Sequence, residues 1–367
     1  MSAAATNCAS TSSTTPAAFP YDITHSNTER SLVARHDLLR SRIEDETQLI
    51  RSNVPVELEI TDDTELLHAP IDSHALSPLR VRLKPVEADQ HLLCLHIHHL
   101  MSDPATLWTL LDELADLYRG TLPAPAAQFW HYAEDQARLL ANSREAAEAW
   151  WRRSTELASF AAPSPTPVGP FALRQRVLPA SDVAELERFC RRHRSTMFVS
   201  LLAGLTTGML PYLGHGDTVL FTTLISRRNR AEWRSLPGPC IVPLDLPVPR
   251  PPSELTGEYV TAVRDIVLGA QQHVMCPTAG RDAPYFEYIS DARPQSLSFG
   301  DATGAVIDAA GPRDTGMATD LGIRARKTAD GELFAHLSGN GIGWSKERTL
   351  TICEKLPWRS PMFTEVA

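Results

Sequence analysis

The stretch from Cys94 to Tyr118, CLHIHHLMSDPATLWTLLDELADLY, constrains the fold more than any other, because it runs a strand into a helix with polar residues at the junction. Leu93, Leu95 and Ile97 alternate with Cys94, His96 and His98, the period of two expected of a strand with unlike faces. Asp103-Pro104 reads as N-cap and first helical residue: Asp accepts the free N–H groups of the first turn, and Pro loses nothing where no partner exists for its N–H. Leu107, Leu110, Leu111, Leu114 and Leu117 follow at helical spacing, and Gly120 is the expected stop. His98, His99 and Asp103 therefore fall in a short link between two apolar elements, where a rigid frame can hold them.

A chain of 367 residues suffices for two lobes, each with its own core. An apolar share of 43% is that of a globular protein, and a net charge of −9 speaks against a general binder of nucleic acid or anionic membrane. No stretch is long and apolar enough to cross a bilayer. The six cysteines (8, 94, 190, 240, 276 and 353) are scattered without a Cys-x-x-Cys pair, as expected of reduced thiols in a cytoplasmic protein. Residues 1–18, rich in Ala, Ser and Thr, are expected to be a disordered leader and neither a signal peptide nor an anchor.

Along the chain the pattern predicts a helix over Thr28–Arg42, a strand over Val54–Ile60, and a hairpin joining Leu79–Leu83 to the strand that carries the histidines. A long helix, Phe129–Thr155, precedes the proline-rich segment 163–170, which can continue neither a helix nor a central strand. That segment is read as the linker between an N-terminal lobe, 19–162, and a C-terminal lobe, 171–367. The second half shows a strand (Leu173–Leu178), a helix opened by Ser181 (Asp182–His193), an apolar helix (Met197–Leu213) and a buried strand (Thr218–Leu224). An extended run (Cys240–Val248), an amphipathic helix (Glu258–His273), a short strand (Leu333–Leu337) and a closing helix (Ser345–Leu356) complete it. Strands and helices mix in each half without a regular repeat, which favours two related α/β sandwiches over one doubly wound sheet.

Each polar residue has an ordinary structural explanation: a histidine at a strand end is usually satisfied by a backbone carbonyl, and capping alone accounts for Asp103. Two histidines and an aspartate within six positions exceed that explanation. Cys94, His96 and His98 share one strand face with a His-x-His spacing known from zinc sites, yet no further cluster stands out to complete a metal centre. No Gly-x-Ser-x-Gly elbow is present, and Gly339-Asn340-Gly341-Ile342-Gly343 lacks the Lys-Ser/Thr of a P-loop and reads as a turn.

His98-His99-Leu100-Met101-Ser102-Asp103-Pro104 resembles the His-His-x-x-x-Asp-Gly motif of the condensation domains of nonribosomal peptide synthetases and their acyltransferase relatives. Arg35-His36-Asp37-Leu38-Leu39-Arg40 resembles their upstream Arg-His-x-x-Leu-Arg segment, and Trp150-Trp151 falls where the family has a Tyr-Trp pair. Further likeness lies at Ser195–Leu202, Tyr212–Thr218 and Ser226-Arg227, so the similarity runs from about Arg30 to Leu356. It implies two chloramphenicol-acetyltransferase-like α/β lobes forming a V with a central tunnel. It also implies a free-standing condensation enzyme of secondary metabolism, moving an acyl or aminoacyl group from the phosphopantetheine thioester of a carrier protein, met in trans, to an amine or alcohol acceptor. By the same resemblance His99 is the catalytic residue, His98 and Asp103 shape the loop, Asp103 pairs with Arg40, and no metal or cofactor of its own is required.

The chain departs from the family pattern in three places. Pro104 replaces the motif glycine, the usual opening segment is shortened, and Gly238-Pro239-Cys240-Ile241-Val242 lacks the asparagine of a Gly-x-Phe-x-Asn stretch. Two alternatives stay open: a catalytically degenerate docking protein for carrier or tailoring proteins, and a coenzyme A-dependent acyltransferase using the same histidine.

Overall fold

The computed structural model describes residues 9–13, 28–44, 47–56, 58–63, 71, 75, 77–87, 90–121, 127–155, 158–159, 169–214, 216–275, 283–289, 296–308, 321–328, 330–340 and 343–356. In chain order the strands are β1 (Ala9–Ser13), β2 (Ser41–Glu44), β3 (Thr47–Ile50), β4 (Leu58–Ile60), β5 (Leu79–Glu87), β6 (Gln90–Ile97), β7 (Ala158–Ser159), β8 (Phe171–Leu178), β9 (Thr218–Ser226), β10 (Ile241–Pro249), β11 (Tyr285–Ile289), β12 (Ser296–Phe299), β13 (Ala302–Asp308), β14 (Leu321–Lys327) and β15 (Leu333–Gly339). The helices are α1 (Thr28–Arg35), α2 (Pro104–Tyr118), α3 (Phe129–Thr155), α4 (Ala180–Arg192), α5 (Met197–Met209), α6 (Gly257–Gln272) and α7 (Lys346–Glu354). None of the described helices is long and apolar enough to cross a membrane.

The chain divides into two compact units. The first gathers Met1–Gln136, Ser226–Ile241 and Ala292–Gly311, and the second gathers Ala137–Ile225, Val242–Asp291 and Pro312–Ala367. The division falls inside α3, and two later segments return to the first unit; residues 163–168 of the proline-rich segment expected as the linker lie outside the described residues. Proline content marks where a helix cannot continue, but which unit a segment joins is set by distant packing that composition does not carry.

A six-stranded sheet, ordered β12-β13-β1-β6-β5-β4, forms the first unit's frame. The expected hairpin is present, with β5 antiparallel to β6 and Val81 opposite Leu95. Leu95 and Ile97 of β6 pack with Leu107, Leu110, Leu111 and Leu114 of α2, Leu32 and Val33 of α1, and Leu297 and Phe299 of β12. Burying such a side chain fully is worth about 1.5–3 kcal/mol, so this layer fixes the strand-to-helix corner between β6 and α2. Part of the expected disordered leader is instead a strand: the backbone of Ala9–Ser13 pairs with β13 on one side and β6 on the other. Two ladders of backbone hydrogen bonds hold it, and these need no apolar sequence signal. Residues 1–8 and 14–18 lie outside the described residues.

The second unit is built on the sheet β10-β9-β11-β14-β15-β8, with β7 alongside β9. Leu202, Leu205 and Met209 of α5, Val260 and Val263 of α6, and Ile352 of α7 bury against Val219 and Phe221 of β9, Ile323 of β14 and Leu337 of β15. Ser181 does not cap α4. The helix begins at Ala180 behind Pro179, and the Ser181 hydroxyl donates to Asp182 Oδ1 at 3.0 Å.

The first helix is shorter than its pattern. It stops at Arg35, His36 is extended, Asp37–Arg40 forms a 3-10 turn, and Ser41 opens β2. The reason is a residue far along the chain: Gln128 accepts the Asp37 N–H at 2.9 Å and donates to the Arg35 carbonyl at 3.0 Å, replacing helical partners. The same turn buries an ionic clasp, in which Glu113 of α2 receives Arg35 Nε at 3.1 Å and His36 Nε2 at 2.5 Å. Burial by itself would raise the Glu113 carboxyl, but His36 and Arg35 outweigh it and hold the group below its ordinary value of 4.5. A carboxylate depressed in the folded state stabilises at pH above its unfolded value, and that contribution disappears as pH falls through the folded value. Urea midpoints followed from about pH 6 to pH 3 should therefore fall more steeply for the native chain than for Glu113→Gln, which lacks the titrating group.

Candidate active site

At the end of β6 the chain turns through His98 into a 3-10 segment, His99–Met101, and then through Ser102 and Asp103 into α2. The His98 N–H donates to the Pro78 carbonyl at 2.8 Å, tying the corner to the start of β5. His98 Nδ1 accepts the Leu100 N–H at 3.2 Å, and the Ser102 hydroxyl donates to the His98 carbonyl at 3.2 Å. His98 is thus occupied with shaping the turn. His99 is exposed, and its imidazole makes no hydrogen bond among the described residues.

Asp103 is the expected N-cap, in a reciprocal capping box with Thr106. The residue is 1% exposed, and both oxygens of its carboxylate accept hydrogen bonds. Oδ1 receives the Thr106 N–H at 3.0 Å and Arg228 Nη2 at 2.9 Å, while Oδ2 receives Arg228 Nη1 at 2.6 Å and the Cys240 N–H at 3.0 Å. The resemblance implied Arg40 as the partner, and the structure corrects this. Arg40 instead pairs with Asp37 within its own turn and donates to the Val33 and Arg51 carbonyls. The short side chain of Asp103, at the root of α2, is already saturated by Arg228, whose planar fork matches a carboxylate with two parallel bonds.

Arg228 is the functional-site residue that the sequence reading missed. It follows β9 by two positions, and its remaining donors go to the Leu236 carbonyl (Nε at 3.1 Å, Nη2 at 2.9 Å) and the Gly238 carbonyl (3.0 Å). Burial works against the guanidinium charge, but the hydrogen bonds and negative charge of Asp103 more than offset it, raising its pKa above the ordinary value. The signal was present as Ser226-Arg227-Arg228 at a strand end, but nothing local says which arginine turns inward. Thr106 completes the lock by accepting the Gly238 N–H at 2.9 Å. The space bounded by Ile97, Ser102, Asp103 and Leu107 is too narrow for a water molecule.

Gly238 is required by its surroundings. Its φ is +149°, and a Cβ there would stand 2.3 Å from Phe129 Cδ2. Gly238→Ala should cost about 1–3 kcal/mol in chemical unfolding by overpacking this corner. Cys240 gives Asp103 its backbone N–H, while its side chain packs with Tyr132, Trp233 and Leu236 and burial pushes its thiol up to about 11, protonated at neutral pH.

Cys94, His96 and His98 do not converge as a zinc reading would require. Cys94 and His96 are buried and contact each other, Sγ to Nε2, at 3.3 Å, while His98 lies past the strand end and caps the 3-10 turn. Among the described residues no group of three or more His, Cys, Asp or Glu side chains could hold a metal ion.

Comparison with known proteins places this corner in context. The sequence profile of the condensation domain matches residues 25–279, well over half of the chain. The chain belongs to the condensation domain family. This condensation domain is 31% identical over 233 residues, or 58% of its length, to tyrocidine synthase 2 of Brevibacillus parabrevis, and spans 6% of that synthase. Its fold is that of the condensation domain of the monacolin K polyketide synthase MokA, with a TM-score of 0.79 at 16% identity, covering 98% of this chain and 92% of that one. The X-domain from teicoplanin biosynthesis is also similar, with a TM-score of 0.76 at 17% identity over 97% and 89% of the two chains. The α/β architecture expected from the chain's motifs is therefore the one observed, the chloramphenicol-acetyltransferase-like fold of these domains.

Proposed function

We propose that this condensation domain transfers an acyl or aminoacyl group from a carrier-protein thioester to an amine or hydroxyl acceptor, with His99 as the catalytic residue. The observation that supports this most is the division of labour at the corner. Asp103 and His98 are committed to holding the turn, while His99, placed by both, is exposed and available to a substrate.

In this reading the acceptor N–H or O–H lies against the His99 ring as its lone pair attacks the thioester carbonyl carbon. The new C–N or C–O bond forms, the C–S bond breaks, and the proton lost by the nucleophile ends on the departing thiolate, with His99 orienting or relaying it. The phosphopantetheine arm of the carrier enters as part of the substrate. Pro104 has no N–H, so the first residue of α2 gives no donor to a developing oxyanion, and that charge must be met elsewhere. As the first helical residue it costs α2 nothing.

A docking role is the second reading, favoured by Pro104 at the motif glycine and by the fold shared with the teicoplanin X-domain, which has been solved in complex with OxyB. Intact mass spectrometry of acyl-loaded carrier proteins, incubated with this protein and candidate amines and alcohols, separates the two. Loss of the acyl mass together with a condensed product supports the transferase. A carrier that binds while its thioester stays intact with every acceptor supports docking and rejects the first reading.

A further inference from the structure

The corner that displays His99 displays a second side chain, and it is apolar. From Gln90 to Tyr118 every leucine, isoleucine, methionine and tryptophan but one is buried or half-buried. The exception is Leu100, 58% exposed and next in the chain after His99. An exposed leucine is ordinary in itself, but this one is held unusually firmly. Its N–H donates to His98 Nδ1 at 3.2 Å, the Met101 N–H donates to the His98 carbonyl at 2.9 Å, and the Ser102 N–H donates to the His99 carbonyl at 3.3 Å. Met101, 5% exposed, packs into the first unit's core and anchors the turn on its inner side.

With three residues per turn, successive side chains of a 3-10 segment point about 120° apart. Met101 is turned inward, so His99 and Leu100 both project outward from one short, pinned turn. The frame thus fixes an apolar surface beside the imidazole, and little conformational freedom is lost when a ligand packs on it. In acyl transfer the atom nearest the imidazole is the acceptor's nucleophilic nitrogen or oxygen, whose proton faces His99. The acceptor's first carbon is one bond from that atom. The acyl chain begins two bonds from it, beyond the carbonyl carbon, so the acceptor skeleton reaches the neighbour of His99 more directly.

We propose that Leu100 is a specificity-determining residue that packs on the carbon skeleton of the acceptor, so that the protein selects amines and alcohols carrying an apolar group next to the nucleophilic atom. The proposal rests on the acyl-transfer reading above. A charged or strongly hydrated substituent at that place loses water against the isobutyl group, which offers no hydrogen bond in return. Val86 supplies the comparison within the same hairpin. It is equally exposed at 58%, but it lies at the far end of β5 and β6, about 25 Å from the corner at the rise of an extended strand.

The test is kcat/KM of the whole protein with one acyl-loaded carrier protein and the acceptors ethylamine, propylamine, butylamine and pentylamine, which share nearly the same basicity. Each methylene packed on Leu100 is worth a factor of up to about four, so the native chain should prefer pentylamine to ethylamine by about tenfold or more. In Leu100→Ala that preference should shrink to about threefold or less, while ethylamine, too short to gain from the contact, reacts within about twofold of the native rate. Leu100→Met keeps the apolar bulk and should keep most of the preference, and Val86→Ala should keep all of it. Melting curves of the variants should match the native one, since neither side chain is buried. An unchanged preference in Leu100→Ala overturns the proposal. So does an equal loss with every amine, which marks a residue that only shapes the turn, and so does selectivity in Leu100 variants that follows the length of the acyl group and ignores the amine, which gives Leu100 to the donor. Each of these outcomes includes product from the native chain and leaves the acyl-transfer reading standing, whereas no product with any amine or alcohol overturns both.

Discussion

Asp103→Ala is expected to destabilise the protein by about 3–5 kcal/mol, because it leaves the buried Arg228 guanidinium facing no counter-charge. The Arg228 side chain is 6% exposed and the Asp103 side chain 0%, so water cannot replace the lost partner without the corner opening. The same change takes the carboxylate acceptor from the Thr106 and Cys240 N–H groups, which keep only the Asp103 and Gly238 carbonyls. Denaturant unfolding should show a lowered midpoint with little change in slope. The partner is assigned by double-mutant cycles. Asp103→Ala with Arg228→Met should lose much less than the sum of the single changes, since an apolar pair of similar volume avoids the unpaired charge. Asp103→Ala with Arg40→Ala should be additive within about 0.5 kcal/mol. Strong coupling to Arg40 and additivity with Arg228 would refute the assignment.

His99→Ala is expected to act on the reaction and leave the fold alone. A positioned general base contributes about 10²–10⁴-fold, so kcat/KM for product formation should drop by that range. The side chain is exposed and carries no hydrogen bond among the described residues, so the unfolding midpoint should stay within about 0.5 kcal/mol of the native value. His98→Ala separates the two roles. Loss of its ring removes the acceptor for the Leu100 N–H and loosens the turn, so stability and rate should fall together. An undiminished rate in His99→Ala, with product still formed, would remove His99 from the chemistry.

The parts of this site that could be read in the sequence are those written within a few residues of one another. The alternation around Leu95, the Asp-Pro helix start and the leucine spacing of α2 are local features, and the structure places each as expected. The partner of Asp103 was not legible, because Arg228, Gly238 and Cys240 lie 125 to 137 residues further on and no local pattern selects them. The Arg-His-x-x-Leu-Arg segment shows how a resemblance can point to the right residues for another reason. Arg35 and His36 clasp Glu113, Leu38 and Leu39 fill the core, and Arg40 holds its own turn. β14 is a different case: the alternation of Leu321, Ile323 and Ala325 with Arg324 and Arg326 was in plain view, but one short alternating run without its neighbours is a weak strand signal.

The lock on Asp103 also sets an order of events during synthesis. A ribosome that has released the first 162 residues has made both histidines, the aspartate and all of α2, yet none of the groups that neutralise the carboxylate outside its own helix cap. Only when the chain reaches Cys240, 137 positions after Asp103, are Arg228, Gly238 and the last backbone donor present together. The corner that presents His99 is therefore completed late, and cutting the gene at the proline-rich segment would give a fragment holding the motif without the means to fix its shape.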